Sequence, residues 1–281
     1  MLYIVVPTFN RIKVFLKFIE QLKSQTCQTF KLIVVDHGRN KTGFSDAGTV
    51  VIESDVNGWS YAINVGIRYV LEQKYVTDND YIMVMNDDVI MKDDFIENTI
   101  KAINEKPNAV LSSIAYDWNT NKLLHVNMQI NYKKALFEYY YKGEDISSLT
   151  EKYYPTDVMK GRGTVWPVKI LKDIGIYNEK KLPHYKADHE LAWRAKCRGY
   201  EVLIAKNMQL GAILDSPHTI DRSKSFIENY MNIFHHMISV QNAKDLRNYA
   251  FCSFSPLYAC YFWGVNWLRQ RLFFIYTFLK Q

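Results

Sequence analysis

The sequence lacks the glycine-rich motifs that most often hold nucleotide phosphates. A dinucleotide-binding fold carries G-x-G-x-x-G directly after its first strand, and a P-loop carries G-x-x-x-x-G-K-[ST]. Here the first apolar run is followed by PTFNR at residues 7–11, and neither motif occurs in the chain. If the protein binds a phosphate group, a divalent cation held by carboxylates is the remaining means of neutralising it.

Paired cysteines and a secretory leader are also missing. The four cysteines show no C-x-x-C spacing, and the N-terminal MLYIVVPTFN is too short and uncharged for a leader and predicts a first strand. Both features favour a reduced protein in the cytoplasm.

Charge and aromatic residues are unevenly distributed. The 281 residues are 48% hydrophobic and 23% charged, as in an ordinary globular protein, and the net charge is +6. Residues 222–281 contain seven basic and two acidic residues, together with 15 of the 41 aromatic residues. We therefore predict a domain boundary near Asp221, followed by a helical, aromatic and basic extension.

This extension contains 21 successive uncharged residues between Arg247 and Arg269, a length that could span a bilayer. Pro256, Gly264 and several Asn and Ser make a poor span, and aromatic residues beside arginines favour the membrane interface. We expect peripheral membrane contact through residues 226–281 first, a packing or dimerisation helix pair second, and a true span third. Nucleic acid is not an expected partner, because no strand-and-aromatic module accompanies the basic charge.

The first hundred residues alternate short apolar runs with amphipathic segments. Runs at 2–6, 31–35, 49–53 and 81–85 predict strands, and apolar residues at helical spacing follow the first, third and fourth of them. Continuous apolar strands imply a sheet covered on both faces, and the order implies mostly parallel strands. The sequence therefore predicts a doubly wound α/β fold.

Polar residues follow each of these four strands. The loops begin with PTFNR at 7–11, DHG at 36–38, DVNG at 55–58 and NDD at 86–88. In an open parallel sheet, ligands bind beyond the carboxyl ends of the strands, so we expect these loops along one edge. The adjacent carboxylates of NDD repel each other, and a bound cation would offset that cost. A solvated turn that caps the next helix is the alternative.

The segment HYKADHELAWRAKCRGYEVLIA at 184–205 predicts a loop, a helix from about Asp188 to Gly199, and a strand. Asp188 falls at the N-cap or in the first turn, where free amides and the helix dipole favour a carboxylate. From position alone, a capping role and a functional role for Asp188 are equally good interpretations.

Six segments occur in the order and spacing of one enzyme family. They are VVPTFNR at 5–11, VVD at 34–36, DVNGWSYAINVGI at 55–67, NDD at 86–88, GRGTVWPVKILKDIGIYNE at 161–179 and YKADHELAWRAKCRGY at 185–200. Together they resemble the family-two inverting glycosyltransferases, over about residues 1–220. The resemblance implies a GT-A (Rossmann-like), mostly parallel sheet flanked by helices in a domain of residues 1–221. Its nucleotide-binding half would be 1–105 and its acceptor-binding half 106–221.

The resemblance also implies a donor site and a base, carried over residue by residue. The nucleotide-sugar would be bordered by Thr8, Phe9, Asn10, Arg11, Asp36, Asn57, Gly58, Asn86, Asp87, Arg162 and Gly163. In this set Asp36 would accept a hydrogen bond from uracil or thymine, and Asp87 would hold the ribose. Asp88 would coordinate Mn²⁺ or Mg²⁺, with His218 as a further metal ligand or part of a closing loop. Asp188 would be the catalytic base.

Three residues near the base are candidates for the acceptor site. Trp166 could stack on a sugar, His189 could touch the acceptor, and Glu190 could supply a second acidic group. The alternatives are a core position for Trp166, a surface position for His189, and an ion pair of Glu190 with Arg194 one turn later, which we favour. The chain departs from the family pattern at Asn86, where an acid is usual, and at Ala187, which replaces the first acid of E-D-x-D.

The implied activity is transfer of a sugar from a UDP- or dTDP-sugar to an acceptor hydroxyl on a growing or lipid-linked glycan. The metal would stabilise the leaving diphosphate, the base would take the acceptor proton, and direct displacement would invert the anomeric carbon. A sugar nucleotidyltransferase would need a G-x-G-T-R loop after its first strand, which PTFNRI lacks. A non-catalytic sugar- or nucleotide-binding protein of the same fold is the alternative outside the enzyme class. We expect the protein at the inner face of the plasma membrane and allow for a homo-oligomer.

Overall fold

A mixed sheet, ten-stranded in the described part of the chain, forms the centre of the molecule. The computed structural model describes residues 1–212 and 220–280. Its strands are β1 (Leu2–Thr8), β2 (Phe30–Asp36), β3 (Thr49–Glu53), β4 (Tyr81–Val84), β5 (Val89–Met91), β6 (Val110–Asp117), β7 (Leu123–His125), β8 (Asn127–Asn131), β9 (Leu136–Tyr140), β10 (Tyr153–Pro155), β11 (Thr164–Pro167) and β12 (Val202–Ala212). Strands β8 and β9 form a separate antiparallel hairpin.

Helices cover both faces of the main sheet. They are α1 (Ile12–Lys23), α2 (Trp59–Leu71), α3 (Phe95–Glu105), α4 (Val168–Ile174), α5 (Ala187–Cys197), α6 (Phe226–Phe234), α7 (Ala243–Ser253) and α8 (Pro256–Leu279). Helices α1 and α3 bury their apolar stripes in one core cluster, and α2, α4, α5 and α7 bury theirs in the cluster on the other face.

The predicted α/β architecture is confirmed, with one correction to the sheet. Its strand order is β10-β12-β6-β11-β4-β1-β2-β3. The four strands predicted in the first hundred residues are all parallel, as expected. Strand β11 lies antiparallel between β4 and β6, so the sheet is mixed. This strand is short and follows a loop, and nothing in its apolar pattern fixes its direction.

The direction of β11 decides which loops meet at the ligand edge. The carboxyl ends of β1, β2, β3 and β4 lie at one edge because these strands are parallel. Since β11 runs the other way, it begins at that edge, and the segment GRG at 161–163 that precedes it lies beside the end of β4. The NDD segment and the GRG segment are therefore neighbours.

The C-terminal helices share the main core. Leu246 and Tyr249 on α7 and Phe262 on α8 are buried in the same cluster as residues of α2, α4 and α5. The boundary near Asp221 stays a prediction. Within residues 1–212 and 220–280, no helix has both the length and the apolar character needed to cross a membrane.

Candidate donor and base site

The end of β2 carries Asp36 into a closed loop. Asp36 is buried, and its carboxylate accepts hydrogen bonds from the N–H groups of Gly38 (3.2 Å) and Thr42 (2.5 Å). A Cβ on Gly38 would lie 2.8 Å from the backbone N of Asn10, so only glycine fits beside the end of β1. The contact of Asp36 with a nucleobase stays a prediction; the structure adds that this carboxylate orders its own loop.

An aromatic pair lies on the surface beside this loop. Phe9 is exposed, and its ring centroid lies 5.0 Å from that of His37. Asn10 has the left-handed φ of 53° and accepts a hydrogen bond from the N–H of Asn40 at 3.0 Å. An exposed aromatic surface at the strand ends suits a planar base, which can stack on any π face.

The acidic pair after β4 is bridged by one arginine. Asp87 has a fully buried side chain, whereas the side chain of Asp88 is 44% exposed. Arg11, from the loop after β1, donates to Asp87 Oδ1 and to Asp88 Oδ2, the latter at 3.0 Å. Burial raises the pKa of Asp87 to about 6, and the nearby Arg11 guanidinium opposes that rise. The predicted carboxylate pair is therefore assembled, with an arginine as its counter-charge.

The donor atoms of this pair suit a hard divalent cation. Asp87 Oδ2 is buried without a hydrogen-bond partner, and the Asp88 carboxylate faces solvent. Among the described residues no group of three His, Cys, Asp or Glu side chains is close enough to enclose a metal. Magnesium-type sites commonly use one or two carboxylates and take their other oxygens from substrate phosphates and water. His218, the further ligand considered from sequence, lies outside the described residues.

Asp188 lies in the first turn of α5 and is held by two backbone donors. Its Oδ2 accepts from Gly161 N–H at 3.0 Å and its Oδ1 from His189 N–H at 2.9 Å. Lys186, two residues earlier, has a left-handed φ of 66°, which turns the chain into the helix. Both oxygens of the predicted base are thus oriented by the backbone.

The turn at Gly58, which precedes α2, contacts the loop at residues 182–183, which leads to Asp188. Gly58 has φ 123°, and a Cβ there would lie 2.6 Å from the carbonyl oxygen of Pro183. Ser60 donates from its N–H to that oxygen at 3.0 Å and from its hydroxyl to Leu182 O at 2.6 Å. Gly58 is required here for close packing. Asn57 is exposed beside it, and a nucleotide contact of either residue stays a prediction.

Lys160 and His184 lie near Asp188, and Lys160 had no signal in the sequence. Burial lowers the pKa of Lys160, and the nearby Asp188 carboxylate opposes this change. Burial also lowers the pKa of His184 to about 4, so its imidazole is neutral at neutral pH. Arg162, in the same loop, lies close enough to Lys160 to lower its pKa further. The hydrogen bond from Gly161 N–H to Asp188 brings this loop to the carboxylate, and the spacing of the sequence does not reveal that contact.

Gly163 has a structural role that its sequence pattern does not reveal. Its φ is 67°, and a Cβ would lie 2.6 Å from the hydroxyl of Ser113. Its N–H donates to Val84 O at 2.9 Å, which anchors the loop to the end of β4. The predicted contacts of Arg162 and Gly163 with the donor are not tested by this geometry.

Trp166, His189 and Glu190, the three acceptor-site candidates, are all buried in this structure. Trp166 is fully buried on β11 and donates from Nε1 to the Tyr177 hydroxyl, so no sugar can stack on it. His189 is buried against aromatic rings and is neither an acceptor contact nor a surface residue. Glu190 is buried and accepts from Arg194 Nε at 3.0 Å and Nη2 at 2.8 Å, which is the ion pair that we favoured.

Replacing Asp87 with asparagine should change how stability depends on pH. A folded-state pKa of about 6, above the ordinary 3.8, means that the folded protein binds the proton more tightly. This contribution to stability is complete below pH 4 and is lost as the pH rises to 6. Between pH 4 and pH 7 the wild type should therefore lose about 2–3 kcal/mol of unfolding free energy through Asp87. Asp87→Asn has no carboxyl to ionise there, so its unfolding free energy should rise by this amount relative to that of the wild type.

The measurement is urea denaturation of the metal-free and nucleotide-free protein across this pH range. Asp55→Asn is the control, because the Asp55 side chain is fully exposed, and it should leave the pH dependence unchanged. Parallel curves for wild type and Asp87→Asn would contradict the predicted burial of a titrating carboxyl.

Comparison with known proteins identifies the family. The model of Glycosyl transferase family 2 matches residues 3–159. Rhamnosyltransferase WbbL of Escherichia coli (strain K12) is 30% identical over 132 residues, 44% of this chain and 48% of that protein. The match thus spans about half the length of this curated relative.

Solved glycosyltransferase structures share the fold at low identity. GalNAc-T7 with UDP, GalNAc and Mn²⁺ aligns with a TM-score of 0.65 and 11% identity, over 94% of this chain and 49% of that one. Mannosyltransferase PcManGT from Pyrobaculum calidifontis, in complex with GDP-Man and Mn²⁺, gives 0.58 and 12%, over 94% and 68%. S. aureus TarS 1-349 with UDP gives 0.54 and 14%, over 93% and 69%. The strand-end edge, its acidic pair and the family match lead to one conclusion: this chain is a glycosyltransferase of family 2 with the GT-A α/β fold.

Proposed function

We propose that the protein is an inverting, metal-dependent glycosyltransferase that moves a sugar from a UDP- or dTDP-sugar to an acceptor hydroxyl on a growing or lipid-linked glycan. The observation that carries this proposal is the position of Asp188. Its carboxylate is oriented by Gly161, from the loop beside the end of β4, where the Asp87–Asp88 pair follows. A carboxylate so placed can take the acceptor proton as the new bond forms.

The donor would lie along the edge formed by the loops after β1, β2 and β4. Phe9 and Asp36 would bind the base, Asp87 the ribose, and Asp88 a Mn²⁺ or Mg²⁺ that stabilises the charge developing on the diphosphate. Arg11 already contacts both carboxylates, so it can turn toward the diphosphate when a cation neutralises them. Arg11 and a cation held by Asp88 would then both offset the negative charge on the leaving diphosphate.

Inversion follows from the use of a single base in a direct displacement. The acceptor oxygen attacks the anomeric carbon from the face opposite the diphosphate, and its proton passes to Asp188. Lys160 stands near this carboxylate and Arg162 near Lys160. A neutral His184 can donate a hydrogen bond to a sugar hydroxyl without adding charge.

Replacing Asp188 with asparagine should abolish base catalysis and leave nucleotide binding intact. The variant loses the proton acceptor, so transfer should fall about 10²–10⁴-fold. The assay is product formation from a panel of UDP-, dTDP- and GDP-sugars, with rhamnosyl donors included because of the E. coli relative. The Kd for nucleotide with Mn²⁺, measured by calorimetry, should stay within about two-fold of wild type, a change of less than 0.5 kcal/mol. Near-normal turnover would remove Asp188 as the base.

Removing Asp88 should weaken nucleotide binding only when a divalent cation is present. Asp88→Ala takes away the exposed carboxylate, so the Mn²⁺-dependent part of UDP affinity should drop about 10-fold or more, consistent with loss of a charged ligand. Asp94→Ala is the matched control, since Asp94 is an exposed carboxylate of the following loop. Equal calorimetric affinities for wild type and Asp88→Ala in Mn²⁺ would show that the metal lies elsewhere.

Helix α8 presents an apolar stripe to solvent, which supports membrane contact. The exposed residues fall three, four or seven positions apart and so share one face: Leu257, Tyr261, Leu268, Leu272, Ile275 and Leu279. The 24-residue helix is about 36 Å long and has no acidic residue, while Arg269 is exposed on it and Lys280 is exposed at its C-cap. We propose that this face lies in the interface of an anionic bilayer such as the inner face of the plasma membrane, where lipid-linked acceptors are presented.

A charge placed in this stripe should weaken vesicle binding without loss of fold. Leu272→Glu in the full chain should lower partitioning onto phosphatidylglycerol-containing vesicles about 10-fold or more, because a buried leucine contributes about 1.5–3 kcal/mol. Leu16→Glu, at an exposed leucine of α1, should have little effect. Failure of the wild-type protein to sediment with such vesicles would contradict the proposal, and a dimer that Leu272→Glu dissociates would favour the helix-pair alternative.

A further inference from the structure

Trp59, the first residue of α2, connects the end of β4 to the loop that holds Asp188. Its Nε1–H donates to Asn86 Oδ1 at 2.9 Å. The far side of its ring lies against Gly161, where a Cβ would approach Cη2 to 2.5 Å and Cζ2 to 2.7 Å. Real Cβ atoms do not come so close, so the indole of Trp59 in this position leaves room only for glycine at residue 161.

Gly161, which packs on the indole, also contacts the proposed base. Its N–H is the donor to Asp188 Oδ2 at 3.0 Å. The glycine has no left-handed φ, so its lack of a side chain serves the packing of the indole and not an unusual backbone conformation. The path from Asn86 to Asp188 therefore consists of one hydrogen bond, one van der Waals contact and one hydrogen bond.

The orientation of the indole is fixed from a third direction. Tyr177 meets Trp59 edge to face, with ring centroids 5.3 Å apart and an interplanar angle of 79°. Tyr177 is itself buried and anchored by its backbone to Asn64 of α2. Asn86, Tyr177 and Gly161 thus contact the Trp59 indole from three directions and fix its position. The position of the indole in turn fixes that of Gly161.

We infer that Trp59 is a positioning residue, which sets the distance between the base Asp188 and the donor held by Asp87 and Asp88 after β4. The inference rests on the proposed role of Asp188. It also gives a structural role to Asn86, at a position where the family usually has an acid. The amide oxygen of Asn86 accepts the indole hydrogen bond and so orients the ring. A reacting group misplaced by about 1 Å can lose about 100-fold in rate, so the expected effect is on turnover and not on binding.

The test is to change the ring and the glycine separately and together. Trp59→Leu should lower kcat about 10–100-fold, with the donor KM and the UDP–Mn²⁺ Kd unchanged within about two-fold. Gly161→Ala should lower kcat similarly by displacing the ring. The double variant should be no worse than Trp59→Leu, because leucine leaves room for the new Cβ. Trp59→Phe keeps a ring but loses the N–H, so its kcat should lie between those of the wild type and Trp59→Leu. This variant replaces Trp59→Leu in the test if leucine impairs folding.

Two controls separate positioning from general stability and from the proposed function. Trp193→Phe, which also loses one indole hydrogen bond, to Ser253 O, should retain kcat. In an Asp188→Asn background, Trp59→Leu should change the residual transfer rate less than about two-fold, because the group on which it acts is gone. If Asp188→Asn keeps full turnover, the base assignment fails. If Asp188→Asn is inactive but Trp59→Leu retains kcat or raises only the donor KM, the inference about Trp59 is wrong.

Discussion

The burial of a carboxylate next to a second carboxylate is the constraint on which the site depends. Asp87 has no exposed side-chain surface, and Asp88 follows it at the rim. A buried charge persists only with a partner, and the partner here is Arg11, delivered by the loop after β1. That pairing fixes the loop PTFNR against the end of β4 and so brings together two segments that are more than seventy residues apart in sequence.

The grouping of Arg11 with Asp87 and Asp88 offers the proposed function an alternative to a glycine-rich phosphate loop. A P-loop neutralises phosphate with backbone N–H groups, whereas this edge collects acidic and basic side chains. In the proposed function the acidic pair would bind a divalent cation, and Arg11 would turn from the pair toward the diphosphate. The partial exposure of Asp88 would allow this exchange in the proposed function, because a fully buried acid could not replace its arginine contact with a cation shared with a ligand.

Local patterns predicted local structure well. The four apolar runs became four parallel strands, Asp188 fell in the first turn of α5, and the Glu190–Arg194 pair formed at i,i+4, because each depends on residues close together in sequence. The direction of β11, the burial of Trp166 and the contact of Trp59 with Gly161 could not be predicted in this way. They depend on which strand lies beside which, and periodicity reveals that a residue is buried or amphipathic but not what it packs against.

The C-terminal region contacts the loop that precedes the proposed base. Lys186 donates from Nζ to Val240 O at 2.8 Å, and Asn248 on α7 donates to Lys181 O at 2.6 Å. The loop between α4 and α5 is therefore held by α2 on one side and by the C-terminal region on the other. Because α7 packs in the main core and α8 follows it after two residues, α8 is joined by a short connection to the helix that contacts this loop. If α8 lies on a bilayer as proposed, an acceptor presented there would meet a base that this short connection joins to the membrane-facing helix.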